Sequence, residues 1–161
     1  MALILNVTIM KTFNKIIIAL SMAFALISCG EENKDNGPVV SDAIVAEWHL
    51  VSVSGLSVLH HVYVNFAQDL SFELYQKIGE GRFRKYEGTY AVAGSLVSGK
   101  YSDGEKWGSD YAASFDGEKL VLTAQNGSEE VCTYEKRALS ETDKAEAILV
   151  TRSVEDGPRF L

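Results

Sequence analysis

The chain has 161 residues, 47% of them hydrophobic, and a formal net charge of −7. That length suits one domain of ordinary size. The acidic balance argues against nucleic acid as a partner, because such binding needs basic patches that replace counterions.

The first informative stretch lies near the start. Lys11 and Lys15 precede an almost wholly apolar run from Ile16 to Ala25, and Leu26-Ile27-Ser28-Cys29 follows. This order reads as a secretory signal peptide over residues 1–28, with residues 1–9 lying ahead of a more natural start at Met10-Lys11. The run is shorter than the roughly 20 apolar residues of a membrane-spanning helix. Its end resembles the lipobox of bacterial lipoproteins. The resemblance implies that Cys29 is cleaved free and acylated, palmitate being the typical chain. Each buried methylene of such a chain supplies about 0.8 kcal/mol, so the protein is expected to be tethered to the membrane through Cys29. Gly30 stands where an aspartate would resemble an inner-membrane retention signal, which points to the outer membrane. Residues 31–35 (Glu-Glu-Asn-Lys-Asp) resemble acidic export tags but also suit a solvated spacer, so periplasmic face and cell surface both stay open. Without Lys11 and Lys15, thirteen basic residues face 22 acidic ones, a formal charge of −9.

Residues 29–40 read as the lipidated cysteine and a flexible linker. Ser41 caps an expected helical turn over 41–46. From Glu47 the pattern alternates with a period of two. Strands are expected over 47–53, 62–66, 71–78, 82–92, 96–101, 107–115, 119–124 and 130–137. Asp69, Gly79-Glu80-Gly81, Gly94, Asp103-Gly104, Asp116-Gly117 and Asn126-Gly127 separate them, and Asp-Gly and Asn-Gly suit tight hairpins. Short links predict antiparallel pairing in chain order. An open meander would leave two unpaired edges, and closure removes them. The predicted fold is therefore all-β: an eight-stranded up-and-down antiparallel meander closed into a small barrel over residues 41–138. A two-sheet sandwich shares the same periodicity. Residues 139–161 read as a short C-terminal helix over 140–151, started by Ser140 and Asp143 and laid against the wall, then a loose tail.

Several residues together resemble a family. They are Ala46-Glu47-Trp48, Val64-Asn65-Phe66 with Phe72, Glu87-Gly88-Thr89-Tyr90, Phe115-Asp116-Gly117 running to Leu122, and Tyr134-Glu135-Lys136-Arg137. They are similar to the lipocalin-like domain of many Gram-negative bacterial lipoproteins. The resemblance spans roughly residues 44–137 and implies a small lipocalin-like barrel. It also implies that Arg137 packs over Trp48 as a cation–π contact worth about 0.5–2 kcal/mol. Ala46 stands where the family shows glycine.

Chemistry is sparsely signed. His49, His60 and His61 lack metal-ligand spacing, and adjacent His60 and His61 on a strand point to opposite faces, so no metal or other cofactor is expected. There is no Gly-x-Ser-x-Gly, His-Glu-x-x-His or Cys-x-x-Cys, and no catalytic residues are expected. With Cys29 committed to lipid, Cys132 has no partner for a disulfide and reads as a buried thiol. Ile78 is expected to share an inner face with Phe72 and Leu74. Phe72, Tyr86, Tyr90, Trp107, Tyr111 and Phe115 share the inferred interior. They are the candidate ligand-binding residues, with Gly88, Ser109 and Ala113 leaving room beside them. The same set also suits a solid core. The expected function is a membrane-anchored, non-catalytic barrel that binds a small apolar or amphipathic ligand. The rival is a solid barrel that docks or inhibits an envelope partner protein, with Tyr63, Tyr75 or Tyr101 as exposed anchors.

Overall fold

The computed structural model describes residues 40–151 and 159–161. The expected signal peptide, Cys29 and all but the end of the linker lie outside the described residues. Strand β1 spans Glu47–Val53, β2 Leu56–Ser57, β3 His61–Phe66 and β4 Ser71–Lys77. Strand β5 spans Arg84–Ala93, β6 Leu96–Tyr101, β7 Tyr111–Asp116, β8 Lys119–Ala124 and β9 Val131–Lys136. Eight of these, β1 and β3 to β9, pair antiparallel in chain order, and β9 returns onto β1 to close the barrel. The closed architecture, rather than the sandwich, is therefore the fold.

The alternation works as expected where pairing is regular. Directly opposed residues share a face. Trp48 therefore lines up with Val64, Val64 with Leu74, and Leu74 with Tyr86, and all four are buried. On the other side Leu120 opposes Tyr134 and Leu122 opposes Cys132, again all buried. A register shift in β1 between Leu50 and Ser52 tightens the bend of that strand. Ile78 falls just past the end of β4 and is exposed, so the inner face of that strand is completed by Gln76 instead.

Four further expectations change. The strand expected from Trp107 begins only at Tyr111, because Trp107 to Asp110 leave the ladder to close one corner. There the backbone amide of Gln125 donates to Ser109 Oγ (2.8 Å) and to the Asp110 carbonyl (2.9 Å). Strand β2 was not expected. Ser54 and Gly55, at φ 48° and 80°, make the positive-φ turn that folds it back on β1. The first helix, α1, spans Val40–Ala43, one residue earlier than expected, so Ser41 lies inside it. The second, α2, spans Glu141–Glu146 and does start at a Ser140 cap that accepts from the Asp143 amide at 3.1 Å. It stops at Ala147, and Ile148–Leu149 become β10, paired parallel with Arg84 and Lys85. The reason is an edge to be filled. The β5–β6 ladder ends at Gly88 with Tyr101, which leaves the first residues of β5 without that neighbour. The Ile148 amide donates to the Phe83 carbonyl (2.8 Å) and the Val150 amide to the Lys85 carbonyl (2.9 Å).

Tyr63, Tyr75, Phe83 and Leu139 form a second, outer apolar cluster with Ala147 packed against it. Glu47 ties α2 to the wall, taking the Lys144 ammonium at 2.6 Å and the Leu139 amide at 3.2 Å.

Candidate functional site

All six candidate ligand residues turn inward. Phe72, Tyr86, Tyr90, Trp107 and Tyr111 are buried, and Phe115 is partly buried against them. They meet mostly edge to face, the geometry that aromatic quadrupoles favour. Phe72 lies 5.1 Å from Trp107 and 5.5 Å from Tyr101 between ring centroids, and Trp107 lies 6.1 Å from Tyr111. Tyr90 packs on Phe66 at 5.0 Å, and its hydroxyl donates to the Ala67 carbonyl at 2.8 Å. Phe115 meets Trp48 at 6.2 Å. The small residue Gly88 does not leave room. A Cβ there would fall 2.1 Å from the Lys100 carbonyl oxygen and 2.6 Å from the Phe72 ring. Glycine at this position is what lets the neighbouring strand and ring approach.

The cation over Trp48 is Lys136, with Nζ 5.4 Å from the ring centroid, and not Arg137. Strand parity decides this. Lys136 opposes Trp48 in the ladder and shares its face, whereas Arg137 follows the outward parity of Glu135. The Arg137 side chain is 60% exposed and approaches Glu135 at 3.8 Å.

The three tyrosines expected as exposed anchors are not at the surface either. Tyr63 and Tyr75 are buried in the outer cluster and Tyr101 in the barrel core. His49 stacks on Tyr63 at 4.5 Å, and His60 and His61 turn apart, one toward Phe160 and the other toward His49. Among the described residues, no three His, Cys, Asp or Glu side chains come together as a metal-binding group.

Two interior polar atoms stand out. Trp107 Nε1 is buried without a hydrogen-bond partner, and the buried Tyr134 hydroxyl meets the Cys132 thiol, a weak acceptor. Tyr134 is wholly buried, and that burial, with the nearby Cys132 thiol adding to it, raises its pKa well above the phenol value. Burial likewise raises Cys132 to about 12 and Tyr111 to about 12. These groups stay protonated, so the interior is neutral, aromatic and supplied with hydrogen-bond donors.

The ends of the barrel are closed by segments outside the meander. At one end Ile44, just after α1, is fully buried and its carbonyl accepts from Trp48 Nε1 at 2.7 Å. At the other, Arg159-Phe160-Leu161 enter the mouth. The tail expected to be loose is therefore seated at its last three residues. Leu161 is 3% exposed, and its carbonyl accepts from the Tyr101 hydroxyl at 2.9 Å. Nothing in the period-two pattern pointed to this segment. The only signal was an apolar pair, Phe160-Leu161, after a polar stretch.

No family model matches the chain, and no curated protein is significantly similar to it.

Proposed function

We propose that this chain is a lipid-anchored envelope protein of the outer membrane whose lipocalin-like barrel binds a small amphipathic molecule without transforming it. The observation that carries this reading is a pair of buried donors inside an otherwise apolar interior: Trp107 Nε1, which has no partner, and the Tyr134 hydroxyl, which has only the weak Cys132 thiol beside it. A buried polar group without a partner costs about 1–3 kcal/mol, and native proteins keep few of them. A ligand that accepts from these donors would remove that cost, while its apolar part gains about 25 cal/mol per Å² buried. Anchoring through Cys29 would hold the barrel beside the membrane, where amphipathic molecules concentrate.

The test is thermal unfolding of the full chain with palmitate and with a long-chain alcohol, each of which offers an oxygen acceptor. At least one is expected to raise the midpoint, and Tyr134→Phe is expected to weaken that rise. No shift with either contradicts the reading.

A second reading is favoured by the ring-on-ring packing itself. A filled barrel would act through its outer wall, where Asn65, Ser71, Glu73, Glu87, Thr89 and Lys100 help to line a groove of about 560 Å³. Lys85 bridges Glu73 and Glu87 there at 2.6 Å each. Ala67, Phe72 and Tyr101 complete a lining more apolar than polar, and with the charges at its rim the groove would suit a protein partner.

A further inference from the structure

Arg159 is held in the mouth by two rings and one carboxylate. Its guanidinium carbon lies 4.3 Å from the centroid of Tyr101 and 4.9 Å from that of Tyr86. Its Nη2 donates to Asp103 Oδ2 at 2.5 Å. Asp103 sits in an exposed turn, yet its side chain is only 11% exposed, and that of Arg159 13%. The bond from Arg159 holds the Asp103 carboxyl below its usual pKa.

Two of the groups that receive the cation stand on barrel strands and the third in the turn after β6, and contacts outside the segment help to hold them. Tyr86 stands on β5 and Tyr101 ends β6. The Glu105 amide donates to Asp103 Oδ1 at 3.0 Å and the Gly104 amide to the Tyr101 carbonyl at 3.0 Å, which fixes the turn. Two electron-rich faces beside a carboxylate are the chemistry that selects a guanidinium or a substituted ammonium. Next to this site the mouth takes up an apolar group, now the Leu161 side chain, and the Tyr101 hydroxyl offers a donor to an acceptor.

We propose that the mouth is a binding site for an amphipathic organic cation, an alkylguanidinium or alkylammonium, and that Arg159–Leu161 fill it in the absence of that ligand. The proposal rests on the ligand-binding reading above and adds to it a cation site at the mouth, separate from the buried donors, which a guanidinium has no acceptor to satisfy. A segment on the same chain occupies the site, so an external cation must compete with an intramolecular group. The net charge of −7 draws cations toward the protein.

The experiment is calorimetric titration of the full chain with n-butylguanidinium, with n-butylsulfonate as the anionic control. Arg159→Ala empties the cation site. This variant is expected to bind n-butylguanidinium about tenfold or more tighter than the parent chain, because the competitor is gone. The sulfonate is expected not to bind. Adding Asp103→Asn to Arg159→Ala is expected to lose that gain, and Arg159→Lys, which keeps a cation in place, to bind as weakly as the parent. If Arg159→Ala does not fold, Arg159→Gln replaces it. Equal binding by the parent chain and a folded Arg159 variant overturns the proposal, as does no binding by that variant. Should the cation fail while palmitate or the alcohol still raises the unfolding midpoint, the cation site falls and the reading of interior binding stands. Failure of all three removes both.

Discussion

The indole of Trp107 occupies the space that a side chain at Gly99 would need. A Cβ on Gly99 would fall 2.1 Å from Trp107 Cε2 and 2.4 Å from Cζ2. The Trp107 amide also donates to the Gly99 carbonyl at 3.0 Å, so backbone and ring are fixed by one neighbour. Trp107 is not on a strand. It reaches the interior only because position 99 has no side chain.

Gly99→Ala is therefore expected to push the indole out of its seat and to cost about 1–3 kcal/mol, the usual cost of overpacking a core. Urea unfolding gives the loss, and a red shift of tryptophan emission reports the exposed ring. An unchanged midpoint and emission would show that Trp107 is held by something other than this contact.

Much of the fold was legible in the sequence because a barrel strand with one buried face writes its orientation in every second residue. Tyr86, Tyr90, Leu120, Leu122, Cys132 and Tyr134 could be placed inside from that period alone, and each is buried. What the period did not carry was structure made by single contacts. Strand β10 exists because β5 has an edge to fill, and Trp107 turns inward because of Gly99. The mouth closure depends on Arg159 meeting Tyr86, Tyr101 and Asp103, far apart in the chain. Arg137 departs from expectation for a related reason. A resemblance supplies only an arginine near the last strand, whereas parity fixes which neighbour faces Trp48.

Lys136 and Arg137 give a direct check of that parity. Lys136→Ala is expected to cost about 0.5–1 kcal/mol through the lost cation–π contact over Trp48. Arg137→Ala is expected to change stability by less than about 0.5 kcal/mol, as exposed substitutions usually do. Chemical denaturation of the two variants decides it, and the opposite order would restore Arg137 to the tryptophan.

Alkaline pH is expected to unfold the barrel earlier than neutral pH. Tyr101, Tyr111, Tyr134 and Cys132 all have pKa values raised by burial in the folded state. The folded chain keeps protons that the unfolded chain sheds. The stability these groups contribute is whole below the ordinary values, 9.0 for the thiol and 10.0 for the phenols, and is lost as pH rises from there. Urea midpoints at pH 8 and pH 10.5 should fall with rising pH, and the fall should shrink in Tyr134→Phe. A flat profile would mean that these hydroxyls reach solvent.

Cys132 should be inert in the folded protein. It is 2% exposed with its pKa at about 12, so little thiolate exists at neutral pH. Iodoacetamide at pH 7.5 is expected to leave it unmodified until urea unfolds the chain. Prompt modification of native protein would contradict the burial.

The central claim is that the interior of this barrel receives a small molecule. Native mass spectrometry of the full chain as cells produce it, recorded from extract and again after denaturation, tests that claim most directly. A reproducible added mass that disappears on unfolding and that decreases in Tyr134→Phe is expected. A bare mass from extract, unchanged after incubation with palmitate, the alcohol and n-butylguanidinium, would contradict it and leave the filled barrel with its outer groove as the functional unit.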